Sequence, residues 1–165
     1  MLSIRPLSAA DSLVELTHLL HRAYARLGSM GLNFTAVNQT PEVTAQRIRG
    51  GECLVAEWSQ VLAGTIVVQP TYQKSECDYF TRHGVAAVHQ FGVEPTLQSH
   101  GIGRALLAAA ESWASERSYG EVAMDTAEPA THLIKFYERL GYCQVGVVQW
   151  SGKVYRSVVM RKVLK

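Results

Sequence analysis

The chain has 165 residues, 47% of them apolar and 18% charged, with a formal net charge of +2. That size and balance fit one globular domain built around one core. The basic residues are scattered rather than gathered into a stripe, which argues against nucleic acid as the main partner, and no apolar run approaches the roughly 20 residues of a membrane span.

Met1 to Leu7 carries Arg5 and Pro6 and soon meets Asp11, so it does not read as a signal peptide, and a cytoplasmic location is expected. Ser3 to Leu7 predicts a short edge strand. Ser8 or Asp11 caps a helix to about Leu27, whose Leu13, Leu16, Leu19, Leu20, Ala23, Tyr24 and Leu27 share one face, and Gly28 stops it. Residues 29–39 read as a loop, and Thr40-Pro41-Glu42 starts a short helix to Arg49. Cys53 to Trp58 and Val61 to Val68 form a hairpin across Ser59-Gln60. After an irregular stretch from Thr71 to Gly84 come a strand from Val85 to Val93, a helix from Gly103 to Ser118 and a strand from Glu121 to Asp125. In that helix Leu106, Ala110, Trp113 and Ala114 face inward while Arg104, Glu111 and Glu116 stay wet. A helix from Ala130 to Leu140 and two strands, Tyr142 to Gln149 and Val154 to Val163 joined at Ser151-Gly152, complete the chain. The unit from Val85 to Asp125 must be a parallel crossover, whereas the flanking hairpins are antiparallel. The expected fold is α/β (α+β): one domain over residues 1–165, with a mixed, mostly antiparallel sheet of six to seven strands and helices on both faces.

Cys53, Cys77 and Cys143 form no C-x-x-C pair, and the six histidines lack ligand spacing, so neither a disulfide framework nor a metal site is expected. The informative segment is Glu94-Pro95-Thr96-Leu97-Gln98-Ser99-His100-Gly101-Ile102-Gly103, between a strand and a helix. Its glycines let backbone N–H groups converge where the helix N-terminus adds roughly half a positive charge, a nest that suits a pyrophosphate. Arg104 in the first turn opposes the helix dipole unless a phosphate lies nearby. A plain linking turn remains the simple alternative. A dinucleotide fold, with Asp125 as its acidic residue, is disfavoured because Leu106 stands at the third glycine position and the turn from Val93 to Gly101 is long.

Four segments in order resemble the GCN5-related N-acetyltransferase (GNAT) superfamily: Ile4-Arg5-Pro6 with Asp11; Gln98-x-x-Gly101-x-Gly103 after Val93-x-Pro95; Phe136-Tyr137-Glu138-Arg139-Leu140-Gly141-Tyr142; and the closing Tyr155 to Lys162. The resemblance implies transfer of an acetyl group from acetyl-CoA, as co-substrate and without a metal, to an amine. The amides of Gln98, Ser99, His100, Gly101, Ile102, Gly103 and Arg104 would hold the pyrophosphate, and the backbones of Phe91 and Val93 the pantetheine arm. Gly92, inside an apolar strand, signals a bulge or a close backbone approach, where such a sheet splays to admit the thioester. Tyr137 would be the general acid beside the sulfur, and the Val93 N–H would polarise the carbonyl. Glu94 and His89 are both candidates for the base. The family's Asn seven residues before the tyrosine is Ala130 here, with Thr126 and Thr131 nearby. The acceptor pocket would draw on Asn33, Phe34, Tyr72, Asp78, Tyr79, Trp150 and Tyr155, a mixture without a strong negative field. The acceptor is thus a small-molecule amine, an amino acid or a peptide, homodimerisation is open, and no nucleic acid or membrane partner is expected. The alternative is a non-catalytic acyl-CoA-binding sensor or interaction module.

Overall fold

In a computed structural model covering residues 1–165, seven strands form one sheet in the order β1-β2-β3-β4-β5-β7-β6. The strands are β1 (Leu2–Pro6), β2 (Glu52–Trp58), β3 (Val61–Gln69), β4 (Val85–Val93), β5 (Glu121–Ala127), β6 (Cys143–Val148) and β7 (Ser157–Val163). The helices are α1 (Leu13–Ser29), α2 (Pro41–Ile48), α3 (Ile102–Glu116) and α4 (Thr131–Arg139). Every neighbouring pair is antiparallel except β4 and β5, which α3 joins as a parallel crossover. β1 lies on an edge, as its sequence predicts.

Local chemistry explains most boundaries. Ser59 and Gln60 both take left-handed backbone (φ 51 and 70), the geometry of a two-residue turn whose twist matches a hairpin. Thr40 caps α2 by accepting from the Val43 N–H, with Pro41 at the first helical position. Ser12, rather than Ser8 or Asp11, caps α1 by accepting from the Glu15 N–H. Asp11 is otherwise engaged: it takes two hydrogen bonds from Arg5, at 2.7 and 2.8 Å, pinning the start of α1 to β1.

α3 and α4 cover one face of the sheet. Leu106, Leu107, Ala110 and Ala114 of α3 pack there on Ile66, Val88, Val122 and Met124. Trp113 is only half-buried, stacked on Tyr119 and covered by Arg117. Glu111 is not freely solvated either, since it accepts from the Tyr142 hydroxyl at 2.8 Å and from Lys162. α1 and α2 lie against the opposite face, where Leu16 packs with Cys53, Val55 and Val67. All three cysteines are free, and no helix is long and apolar enough to cross a membrane.

The final hairpin differs from the sequence reading. Residues 149–156 leave the ladder instead of turning tightly at Ser151-Gly152. Three side chains account for this. The Trp150 indole donates to Asp125 at 2.7 Å, Tyr155 is buried and stacks on Phe34, and the Gln149 amide donates to the Lys153 and Tyr155 carbonyls. Inward anchoring of two aromatic residues outweighs the few ladder bonds forgone.

Candidate active site

The site begins where β4 and β5 part. They pair only from Val85–Glu121 to Ala87–Ala123; beyond that the β5-facing edge of β4 is unpaired. On its other side β4 carries a bulge. Thr65 lies opposite Gly92 and Val67 opposite His89, so the single Ile66 faces both Gln90 and Phe91. Gln90 bears the strain, with φ +51. The bulge that Gly92 suggested is therefore at Gln90, and Gly92 serves the close approach. A Cβ there would lie 2.8 Å from the Ala23 Cβ of α1.

Glu94 N–H bonds the Ala63 carbonyl of β3 at 2.7 Å. Antiparallel alternation then turns the backbone groups of Val93 and Phe91 toward the open edge. The Phe91 carbonyl accepts the Tyr24 hydroxyl at 2.8 Å, using one of its two lone pairs.

The loop after β4 ends in a built nest. Ser99 (φ 70) and Gly101 (φ 78) are both left-handed, and Gly101, the residue at the start of α3, has no side chain to cap it. The first-turn N–H groups thus point outward without protein acceptors, which suits an anion. A Cβ at Gly103 would make ordinary contacts with Phe136, Phe91 and Val93, so packing does not demand glycine there. The His100 ring turns back on the loop, with Nδ1 3.1 Å from the Leu97 and Gln98 carbonyls and its edge against Trp58, so its side chain shapes the nest rather than facing an anion. Arg104 is exposed beside Arg139 and Lys162 in a small groove of about 190 Å³.

A larger cleft of about 720 Å³ opens at the strand gap. Phe91 and Tyr137 both line it, their rings 6.3 Å apart. Tyr137 is 8% exposed, and burial pushes its phenol far up, so it stays protonated at any physiological pH. Ala130, at the start of α4, is buried; Thr126 is buried with an unpartnered hydroxyl, and Thr131 faces solvent.

Neither base candidate is well placed. Glu94 is held by Arg22 at 2.8 Å. His89 lines the cleft, but its Nε2 lies 3.1 Å from the Arg47 carbonyl, and burial together with the Arg47 charge pushes its pKa down to about 4. Asp125, which the sequence offered only as a dinucleotide ligand, sits on β5 just past the split. Burial raises its pKa, the Trp150 indole and Arg47 acting against that rise. Its carboxylate and the hydroxyls of Tyr24, Tyr137 and Tyr155 are near enough to shift one another's ionisation. Of the residues expected around the acceptor, Phe34, Tyr72, Trp150 and Tyr155 line the cleft. Asn33 instead ties down the 149–156 loop through Gly152 and Val154, and Tyr79 bonds Glu121 at 2.6 Å, outside the cleft. Asp78 lies outside it too.

Residues 15–142 match the model of the acetyltransferase (GNAT) family. The chain belongs to that family. The match spans the nest, the strand gap and Tyr137, so the GNAT assignment covers the parts that make the site. No curated protein sequence matches the chain. Solved structures similar to this GNAT fold include the ribosomal-protein-S18-alanine N-acetyltransferase of Escherichia coli (TM-score 0.75, 17% identity, 100% of this chain and 95% of that one). A GNAT acetyltransferase of Elizabethkingia anophelis with acetyl-CoA bound gives 0.70 at 16% identity, over 99% and 98%. A Bacillus subtilis acetyltransferase in complex with CoA gives 0.72 at 17%, over the full length of both chains. At such identities the likeness is one of fold, and the protein is a GNAT acetyltransferase by its family match.

Proposed function

We propose that the protein uses acetyl-CoA to acetylate a primary amine of a small molecule or peptide by direct transfer. The observation that carries this reading is the split between β4 and β5, with an anion nest in the loop after β4 and Tyr137 lining the cleft that opens there. The nest fits a pyrophosphate: its donors are uncapped backbone N–H groups at a helix N-terminus.

Acetyl-CoA supplies the acetyl group activated as a thioester. In this reading the amides from Gln98 to Arg104 bind its pyrophosphate, and the open backbone edge at Phe91 and Val93 takes the pantetheine arm as an extra strand. The Val93 N–H donates to the carbonyl oxygen as negative charge grows there. Tyr137 gives its proton to the departing sulfur. The incoming amine, an ammonium in water with a pKa of roughly 10.4, must lose its proton first. Asp125 is better placed to accept it than Glu94 or His89, because it lies in the gap and no cation is paired with it.

Free-thiol release from acetyl-CoA, measured against a panel of amines, amino acids and peptides, tests the reading. Acetyl-CoA binding with no acceptor-dependent thiol release would leave a non-catalytic binding module. Thermal stabilisation by NAD and not by acetyl-CoA would remove the donor assignment altogether.

A further inference from the structure

We infer that the acceptor is an amine carrying its own carboxylate, an amino acid whose carboxylate is held by Arg47 and the Gln90 amide while its amine faces Asp125. This rests on the acetyl-transfer reading and narrows its acceptor.

Arg47 reaches the cleft wall from α2 and donates one hydrogen bond, to Gln39 Oε1 at 2.9 Å. None of the protein's seven ion pairs includes it. A guanidinium has five N–H donors, so most of this one is unused, although Arg47 is recessed among protein atoms. Recessed cations are ordinarily paired, because losing water without a counter-ion is costly.

Gln90 presents a second idle donor on the same cleft. Its side chain is 2% exposed and its Nε2 has no partner. The amide orientation follows from the network: Gln39 Oε1 is taken by Arg47, so Gln39 Nε2 must donate, reaching Thr44 Oγ1 at 2.7 Å and Gln90 Oε1 at 2.9 Å. That leaves Gln90 Nε2, not its oxygen, free. Gln90 sits at the bulge with φ +51 and lines the cleft, its amide oxygen bonded to Gln39. One charged and one neutral donor, linked through Gln39, call for an anionic oxygen pair.

The opposite charge stands elsewhere in the cleft. Arg47 and Asp125 feel each other's charge but make no ion pair. Three cations (Arg47, Lys74, Lys153) face two carboxylates (Glu76, Asp125), so the cleft is no trap for a polycation. A zwitterion answers both separated charges and sets its amine at the strand gap. Phe34 stacked on Tyr155 at 5.1 Å, with Phe80 and Trp150, gives an apolar side chain its wall.

The test compares initial rates with acetyl-CoA and L-leucine, L-phenylalanine, their α-amides, 2-phenylethylamine and an alanyl-leucine dipeptide, with KM expressed per neutral amine. The free amino acids should show kcat/KM at least tenfold above their amides. Arg47→Gln should cut kcat/KM for the amino acid at least tenfold more than for its amide, and Arg47→Lys should restore part of the difference. Gln90→Leu should act in the same direction. Preference for the amide, the plain amine or the dipeptide overturns the proposal, as does an Arg47→Gln effect equal on both members of a pair. Calorimetric titration of L-leucine and L-phenylalanine into the CoA-saturated protein separates the two readings. Arg47-dependent binding without turnover keeps the carboxylate site and removes the transfer reading. Amide turnover without amino-acid binding does the reverse.

Discussion

A Cβ placed on Gly92 would lie 2.8 Å from the Cβ of Ala23, so α1 rests directly on the backbone of β4 next to the bulge. On the sheet's other face Gly64 does the same for α3: a Cβ there would meet Leu106 Cδ1 at 2.9 Å. The two helices thus grip β3 and β4 from both sides where β4 is distorted. Gly92→Ala should destabilise the protein by about 1–3 kcal/mol through overpacking. Ala23→Gly, which costs about 1 kcal/mol in helix propensity by itself, should recover much of that loss in the double variant. Denaturant unfolding of all four forms measures the coupling, and simple additivity would show that Ala23 is not the obstacle.

The same contact carries Tyr24 to Phe91. Tyr24→Phe removes a 2.8 Å hydrogen bond to a carbonyl at the open edge of β4. The expected loss is about 1 kcal/mol of stability, together with a raised KM for acetyl-CoA, because the edge proposed to receive the pantetheine arm is no longer fixed. Equilibrium unfolding and a cofactor titration check the two effects separately. A stability loss with unchanged KM would make Tyr24 a packing residue only.

For Tyr137→Phe the expectation is split between binding and chemistry. The ring packs against Phe91, Phe136 and Tyr142, and phenylalanine keeps those contacts. Acetyl-CoA affinity should therefore change by no more than about threefold, while thiol release with an accepted amine falls by about 100-fold or more, the usual scale for a general acid. Unchanged turnover would take the hydroxyl out of the mechanism.

The legible parts of this site were those set by backbone chemistry. Gly101 next to a helix start announces a nest, and Thr40-Pro41 announces α2, because each residue type has few other uses there. Gly92 reads in the sequence as a bulge or a close approach; it is the close approach, and the bulge lies two residues earlier at Gln90. The Gln90 side chain accepts one hydrogen bond from Gln39, in the loop before α2, a partner that no local window contains. Asp125 and Arg47 were missed for the same reason. Each is unremarkable in its own segment, and only the parting of β4 from β5 and the inward pull of Trp150 and Tyr155 give them a common cleft. Asp11 is a different case: a good helix cap by type, it is taken by Arg5 only six residues earlier, and Ser12 caps α1 instead.

Acid stability carries a signature of this cleft. His89 has its pKa pushed down to about 4 from an ordinary 6.5, chiefly by burial and then by Arg47. Between those values the unfolded chain binds a proton that the folded one refuses, so stability falls as pH drops from 6.5 to 4, by an amount of order 2 kcal/mol. Asp125 works in the opposite sense. Its pKa is raised by burial, so the folded state holds its proton more tightly, and its contribution, present at low pH, is lost as pH climbs past 3.8. The paired carboxylate of Asp11, lowered by Arg5, acts mainly below its ordinary value of 3.8, while His132, lowered by partial burial and by Arg26, adds a slope of the same sign as that of His89. His89→Gln, which can keep a donor to the Arg47 carbonyl, should flatten the rise in stability between pH 4 and 6.5. Asp125→Asn should steepen it. Denaturant midpoints across that range provide the measurement, and a His89→Gln profile parallel to that of the parent protein would show that this imidazole is solvated and titrates normally.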